Sequence, residues 1–164
     1  MFWCIALKLS KKKTFNLKYG ALEDQFKDKK NLTARHLRET IIKIRNEKLP
    51  NPEVTPNAGS FFKNPIVSIE IYQKIKASYP NIPSYRVCDS TCKIPAGWLI
   101  EHAGWKGKKY EKVGVHPKQA LVLVNFNNAK GSDLLLLAHD IQHDIEKKFA
   151  IKLDIEPAIY PSTA

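Results

Sequence analysis

Residues 57–65 read Asn57-Ala58-Gly59-Ser60-Phe61-Phe62-Lys63-Asn64-Pro65, and this segment says most about the fold and function of the chain. Glycine permits a turn or a close backbone approach that other residues resist, and proline fixes the angle at which the segment ends. Between them stand a hydroxyl, an ammonium and a carboxamide, which can donate a proton or contact an anion. A purely structural loop needs no such set. The segment therefore indicates an active-site loop for an anionic substrate.

The composition of the chain fits one soluble domain. Its 164 residues can bury a core, and its contents of 43% hydrophobic and 26% charged residues are ordinary for a globular protein. No apolar run is long enough to cross a bilayer. The apolar opening lacks the basic start and the cleavage site of a signal peptide. We therefore expect a cytoplasmic protein with no membrane partner.

The charge balance is strongly basic, with 27 Lys and Arg against 16 Asp and Glu and a net charge of +11. Such a charge makes a nucleic-acid-binding domain one alternative. The lysines are spread out, however, and the clusters at 11–13 and 27–30 fall in predicted loops, as is usual for a solvated surface. Nucleic acid is therefore not the expected partner. The same positive field would attract a nucleotide diphosphate.

Cysteines and histidines give no metal or disulfide prediction. Cys4, Cys88 and Cys92 are odd in number and widely spaced, which argues against a disulfide framework and favours reduced thiols. His139 and His143 share a helix face, but no third ligand is apparent and no Glu follows the first His, as a metalloprotease motif requires. We therefore expect no bound metal.

Periodicity and capping residues predict four helices and three strands. The helices are expected between Thr33 and Pro50, between Ser68 and Pro80, between Pro95 and Gly104, and over 134–149 after a cap at Ser132 or Asp133. The strands are expected over 2–9, 120–126 and 151–155. Because helices and strands do not alternate regularly, we predict an α+β fold, a single domain with a mixed sheet packed by several helices.

Several segments together resemble one known family. Besides residues 57–65 they are Lys48-Leu49-Pro50, Ala96-Gly97-Trp98-Leu99-Ile100-Glu101, Val115-His116-Pro117-Lys118-Gln119-Ala120-Leu121-Val122-Leu123 and Leu153-Asp154-Ile155-Glu156. In this order and without large gaps, they are similar to the substrate-binding domain of the type I UDP-N-acetylenolpyruvoylglucosamine reductases, also called UDP-N-acetylmuramate dehydrogenases. The resemblance covers nearly the whole chain.

The resemblance implies that residues 1–164 form the C-terminal, substrate-binding domain of such a reductase. In the complete enzyme NADPH reduces FAD, and UDP-N-acetylglucosamine enolpyruvate becomes UDP-N-acetylmuramate for peptidoglycan synthesis. The family's N-terminal FAD-binding domain and a substrate-binding tyrosine precede the position of Met1. We therefore expect both to be absent, the FAD site to lie mostly outside this chain, and the chain alone to be inactive. The implied partners are a UDP-sugar substrate and the FAD-binding domain of the same enzyme.

The resemblance assigns catalysis to Ser60 and Glu156. Ser60 would protonate the enol carbon of the substrate, and it needs neighbours that stabilise the alkoxide because a hydroxyl is a poor acid alone. Glu156 would polarise the substrate carboxyl group if burial raised its pKa. The family has valine and then arginine after this glutamate, whereas this chain has Pro157 and Ala158, a departure that affects the local geometry.

The predicted substrate-binding residues carry donors suited to a nucleotide diphosphate, and they are Arg45, Lys48, Asn64, Tyr85, Lys106 and Gln119. The ammonium, amide and phenol donors of Lys48, Asn64 and Tyr85 match the phosphate oxygens. Arg45 stands one helical turn before Lys48 and adds a second cation. The resemblance places the last two residues at the nucleotide end, where a Gln amide suits a uracil edge.

Two alternatives stay open beside the reductase. A lone domain without flavin could be a non-catalytic nucleotide-sugar-binding fragment, and the net charge leaves a basic nucleic-acid-binding domain. A flavin absorbance band on the purified chain would separate the reductase from the fragment. Salt-dependent binding to arbitrary DNA would support the nucleic-acid alternative.

Overall fold

Residues 4–12, 14–18, 22–26 and 32–160 are described by the computed structural model of the chain, which divides into two units, Met1–Glu47 and Lys48–Ala164. The first unit contains α1, Leu22–Phe26, and α2, Ala34–Lys48, whose last residue opens the second unit. The predicted cap of α2 is confirmed, because Thr33 Oγ1 accepts a hydrogen bond from the His36 amide at 3.2 Å.

The strand predicted over 2–9 is wrong for residues 4–9, which pair with no strand. Residues 2 and 3 lie outside the described part of the chain. The alternating side chains Ile5, Leu7 and Leu9 are 75%, 77% and 86% exposed. Alternation produces a strand only where a neighbouring strand bonds the backbone and a core covers one face.

Over residues 48–160, the described part of the second unit contains three helices and six short strands. In chain order they are β1 (Asn57–Ser60), β2 (Ile66–Ser68), α3 (Ile69–Ser78), β3 (Tyr85–Arg86), β4 (Thr91–Lys93), α4 (Ala96–His102), β5 (Val113–Val115), β6 (Val122–Asn125) and α5 (Gly131–Phe149). The α+β class is therefore confirmed, and so is the buried strand expected within 120–126.

The strands form two sheets of three, with the orders β1-β6-β5 and β2-β4-β3, and every pairing is antiparallel. One mixed sheet was expected instead. For two of the four pairings the connections explain the antiparallel order, because β3 joins β4 and β5 joins β6 through only a few residues. Such short links permit antiparallel neighbours, whereas parallel strands need a long crossover.

The helices of the second unit follow their local signals. Ser68 caps α3 as predicted, since its Oγ accepts from the Ile71 amide at 3.4 Å, and α4 begins directly after Pro95. The last helix starts at Gly131, earlier than predicted. Asp133 still serves its N-terminus from inside the first turn, where its carboxylate accepts from the Lys130 amide at 2.9 Å.

The strand predicted over 151–155 is reduced to a single bridge, in which Ile155 pairs antiparallel with Phe62. The predicted alternation of burial is present, because Ile151 and Leu153 are buried between exposed Lys152 and Asp154. The segment is thus packed as a strand would be, but only its end is bonded to a neighbour.

One hydrophobic core occupies the second unit, between the sheets, α4 and α5. Its largest fully buried side chains are Phe62, Ile94, Leu99, Ile100, Leu123, Ile141 and Ile145. Phe62 lies two residues after β1, so the segment at residues 57–65 is anchored in this core. Among the residues that the structure describes, no helix combines the length and the apolar character that crossing a membrane requires.

Candidate active site

Ser60 is the last residue of β1, and its side chain is exposed. The pairing of β1 with β6 shifts register just before it, since Asn57 faces Val124 and Ser60 faces Val122. Three steps along β1 therefore match two along β6, which is a β-bulge. Gly59 supplies the bulge with a left-handed φ of 72°, a conformation that glycine adopts without the cost other residues carry.

Glu156 lies beside this strand end although it is distant in sequence. Its amide donates to the Phe61 carbonyl at 3.0 Å, and the Lys63 amide donates to the Asp154 carbonyl at 2.9 Å. These two bonds flank the bridge between Phe62 and Ile155. The structure thus places the backbone of Glu156 opposite the residue that follows Ser60. The Glu156 side chain is exposed, so the burial on which its expected role depended is not found.

Asn64 joins the same segment to α4. Its Oδ1 accepts a hydrogen bond from the Ala96 amide at 2.8 Å, which satisfies a backbone donor that the N-cap residue Pro95 leaves without a side-chain bond. The oxygen of Asn64 is therefore committed to the fold. Its amide nitrogen is the atom that can donate to a ligand, as the predicted anion contact requires.

Two further predicted residues contact α4. The Gln119 Oε1 lies 3.6 Å from the point where a Cβ on Gly97 would stand, a distance of ordinary van der Waals contact, so the predicted uracil contact lies against the first turn of this helix. Lys106 Nζ donates to Glu101 Oε1 at 2.7 Å, and this ion pair holds the ammonium near the end of the helix. Asn64, Gln119 and Lys106 are therefore placed around one short helix.

Tyr85 lies on β3 and is 65% exposed. It pairs with Lys93, which pairs on its other side with Ile66, so the three residues form one row across the second sheet. Lys93 was not predicted as a site residue. The sequence offers no local signal for it, because its place beside Tyr85 follows only from the strand register.

Arg45 and Lys48 are exposed on α2. Arg45 belongs to the first unit and Lys48 opens the second. Their contribution to substrate binding stays a prediction.

Two cysteines of the second unit have opposite surroundings. Hydrogen bonds from the side chains of Ser90 and then Thr91 lower the pKa of the exposed Cys88 thiol to about 7. Burial raises the pKa of Cys92, which is 2% exposed on β4. A thiolate is stabilised where hydroxyls and amides point at it and is destabilised where apolar groups surround it.

Two histidines of the second unit have local hydrogen-bond partners. His116 is half-buried and its Nδ1 accepts from the Lys118 amide at 3.3 Å. Desolvation, and then the charge of Lys118, lower the pKa of His116 below its ordinary value of 6.5. His139 Nδ1 lies 3.0 Å from Gln142 Oε1. Within the described ranges, no three His, Cys, Asp or Glu residues are grouped as a metal site would need.

Known proteins are similar to the part of the chain that contains these residues. A family model for the C-terminal domain of UDP-N-acetylenolpyruvoylglucosamine reductase matches residues 51–160, the part that contains both sheets and the Ser60 and Glu156 segments. The chain belongs to the UDP-N-acetylenolpyruvoylglucosamine reductase family.

Curated relatives of this reductase family share the same name. The chain is 43% identical over 155 residues to the UDP-N-acetylenolpyruvoylglucosamine reductase of Bacteroides fragilis, covering 94% of this chain and 46% of the relative. It is 45% identical over 159 residues to that of Pseudomonas syringae pv. tomato, covering 95% and 47%. For Porphyromonas gingivalis the identity is 45% over 150 residues, covering 91% and 44%. The chain spans about half the length of the curated relatives it matches.

Proposed function

We propose that this chain is the substrate-binding and proton-donating part of an FAD-dependent, NADPH-using reductase that converts UDP-N-acetylglucosamine enolpyruvate to UDP-N-acetylmuramate in peptidoglycan synthesis. Membership of the reductase family supports the reaction. The observation that carries the catalytic assignment is the 3.0 Å bond from the Glu156 amide to the Phe61 carbonyl. It supports the assignment because it brings the backbone of Glu156 opposite Phe61, the residue that follows Ser60.

Reduction of a carbon–carbon double bond adds one hydride and one proton. The flavin, when bound, supplies the hydride. Ser60 supplies the proton from the end of a strand whose next two residues, Phe61 and Phe62, are buried, so the hydroxyl is presented on a fixed support. Glu156 acts on the carboxyl group of the same substrate from the adjacent segment; because its side chain is exposed, bound substrate would have to supply the desolvation that this role requires. Fixed support of this kind is what general acid catalysis requires, since the donor must lie within hydrogen-bond reach of its target.

The residues of this chain do not suit a phosphate loop for a dinucleotide. No two of its seven glycines stand two positions apart, whereas the fingerprint Gly-x-Gly-x-x-Gly needs that spacing. We therefore assign FAD and NADPH to the portion of the longer relatives that this chain does not match. The chain's own contribution is the sugar-nucleotide site.

In the nucleotide site, the amide nitrogen of Asn64, the phenol of Tyr85 and the ammonium of Lys48 contact the diphosphate. Lys106 and Gln119, both placed around α4, meet the nucleotide end, and Arg45 adds positive charge. Lys93 lies beside Tyr85 in the sheet register and joins this set. Charge-assisted bonds are needed here because a diphosphate must exchange strongly held water for donors of comparable strength.

The test is a calorimetric titration of the isolated chain with UDP-N-acetylglucosamine and with uridine. Lys48→Ala is expected to weaken sugar-nucleotide binding by roughly tenfold to a hundredfold, since one charge-assisted hydrogen bond is lost, and to leave uridine binding unchanged. The matched control is Lys147→Ala, an exposed lysine in the last turn of α5, which is expected to change neither affinity.

Three results would count against the proposal. An equal loss for both ligands places Lys48 outside the phosphate site. No binding of either ligand, together with salt-dependent binding to arbitrary DNA, supports the nucleic-acid alternative. Normal sugar-nucleotide binding without turnover, when the chain is joined to the unmatched half of the Bacteroides fragilis relative, supports the non-catalytic fragment.

A further inference from the structure

Asn57, the first residue of β1, makes two side-chain hydrogen bonds along its own segment. Its Oδ1 accepts from the Gly59 amide at 3.0 Å, and its Nδ2 donates to the Thr55 carbonyl at 2.8 Å. The side chain therefore bonds the backbone on both sides of Asn57. An asparagine can do this because it carries an acceptor and donors on one planar group.

These bonds coincide with the bulge between Asn57 and Ser60. The Gly59 amide that Asn57 holds belongs to the residue with the left-handed φ of 72°. A Cβ added at Gly59 would meet no atom within 4 Å, so the requirement for glycine is conformational and not steric. The asparagine side chain and the glycine backbone together define the shape of the bulge.

The bulge decides which way Ser60 faces. Side chains alternate between the two faces of a sheet, so a slip of one residue moves each of them to the opposite face. With the extra residue, Ser60 is exposed and Phe61 is 6% exposed. Without the extra residue, each side chain after Asn57 would lie on the opposite face of the sheet. The Ser60 hydroxyl would then point to the face where the Phe61 ring packs. The burial of Phe61 and the exposure of Ser60 therefore both depend on the bulge.

We infer that Asn57 is a positioning residue for Ser60, which fixes the Gly59 bulge and so aims the hydroxyl at the substrate. This inference rests on the proposed function for its catalytic part. Asn57 itself touches no substrate in this account. It acts on the proton donor through the Gly59 amide.

The first experiment uses the full chain labelled with ¹⁵N-glycine, whose spectrum has only seven glycine positions. Asn57→Ala is expected to speed hydrogen exchange of the Gly59 amide by about threefold to tenfold, the effect of losing one neutral hydrogen bond. Asn57→Asp keeps the acceptor and is expected to restore most of the protection. An unchanged exchange rate in Asn57→Ala would overturn the inference.

Asn51→Ala is the matched control. Asn51 makes the same kind of bond two residues ahead, from the Glu53 amide to its Oδ1 at 3.0 Å, but it precedes no candidate catalytic residue. Its removal is expected to leave the Gly59 amide unchanged. An equal effect of Asn51→Ala at Gly59 would show general loosening of the segment and would overturn the inference.

The second experiment measures kinetics of the chain joined to the unmatched half of the Bacteroides fragilis relative. Asn57→Ala is expected to lower kcat by about tenfold or more with KM for the sugar nucleotide unchanged, because misplacing a proton donor affects the transition state alone. Asn57→Asp should recover most of kcat. A fall in binding with kcat unchanged would overturn the inference. A joined wild type without turnover would count against the proposed function, and the glycine spectrum would then decide this inference by itself.

Discussion

The two three-stranded sheets of the second unit place their candidate residues in different ways. In the sheet β1-β6-β5 the central strand is buried, and the residues that follow β1 exchange backbone bonds with residues 154–156. In the sheet β2-β4-β3 the register is regular, and Tyr85 stands 65% exposed on the edge strand β3. In the first sheet Ser60 follows a β-bulge. In the second sheet Tyr85 lies on a regularly paired edge strand.

The difference between the sheets follows the two proposed tasks, which are proton donation and diphosphate binding. A proton donor must be held to within a fraction of an ångström, which favours a residue on a rigid element with a supporting shell. A diphosphate offers several oxygens to a donor, so an exposed strand position is sufficient for diphosphate contact. The sheets should therefore respond differently to mutation: changes to the buried residues beside Ser60 should cost stability, whereas changes on the exposed edge of the second sheet should mainly weaken ligand binding.

The largest difference is expected between Phe62→Ala and Tyr85→Ala. Phe62 is 1% exposed and bridges to Ile155, so its truncation should cost about 3–5 kcal/mol of the free energy of unfolding. Tyr85→Ala should change stability by less than about 0.5 kcal/mol while weakening sugar-nucleotide binding. Urea unfolding and the titration described above measure both quantities. Similar losses of stability in the two variants would break the comparison.

The second-largest effect is a loss of stability expected when alanine replaces a glycine that has no room for a Cβ. A Cβ at Gly114 in β5 would lie 2.6 Å from the Lys108 carbonyl oxygen and 3.0 Å from the Phe126 ring, so Gly114→Ala should cost about 1–3 kcal/mol by overpacking. Gly131, in the first turn of α5, has no atom within 4 Å of such a Cβ. Gly131→Ala is the control and should be neutral or slightly stabilising. Thermal unfolding compares them, and equal midpoints would contradict the packing described for the first sheet.

Asn64 allows its structural and ligand roles to be separated. Asn64→Ala removes the acceptor for the Ala96 amide and should cost about 1 kcal/mol of stability. Asn64→Asp keeps that acceptor, so stability should be retained, but the added negative charge should weaken diphosphate binding. If Asn64→Asp bound UDP-N-acetylglucosamine as tightly as the wild type, the anion contact would be wrong while the helix cap would stand.

The smallest effect is expected on the alkylation rate of Cys88, which lies in the turn between β3 and β4. Because the pKa of Cys88 is lowered to about 7, its alkylation rate should rise with pH through a midpoint near that value. Ser90→Ala removes the largest cause of the lowered pKa and should move the midpoint upward. Cys92, buried and with a raised pKa, is the internal control and should react far more slowly. Peptide mapping after iodoacetamide treatment follows each thiol, and equal rates would contradict the assigned environments.

The parts predicted correctly from the sequence are those that depend on local chemistry. Thr33 and Ser68 cap their helices as their side chains predict, and the helix after Pro95 begins where proline permits it. The sequence could not predict the bulge before Ser60, because a bulge is a relation between β1 and β6. The pairing of Tyr85 with Lys93 could not be predicted either, because it depends on the register between β3 and β4.

The site was predicted through a family resemblance and not through spacing. The Glu156 amide is bonded to the carbonyl of Phe61, the residue after Ser60, beside the bridge between Phe62 and Ile155, and no local pattern links positions so far apart. A role for Asn57 could not be predicted from the sequence, because its side-chain hydrogen bonds to Thr55 and Gly59 depend on the folded backbone. The strand expected over 2–9 is wrong for residues 4–9, because alternation cannot supply a pairing partner.

The most direct test of the central claim is Ser60→Ala in the chain joined to the unmatched half of the Bacteroides fragilis relative. Reduction of the flavin by NADPH and turnover of the enolpyruvyl substrate are measured in the same preparation. Since Ser60 is proposed to supply only the proton, flavin reduction should proceed at the wild-type rate while turnover is abolished, and reduced flavin should persist with substrate present. Turnover of Ser60→Ala near the wild-type rate would contradict the account.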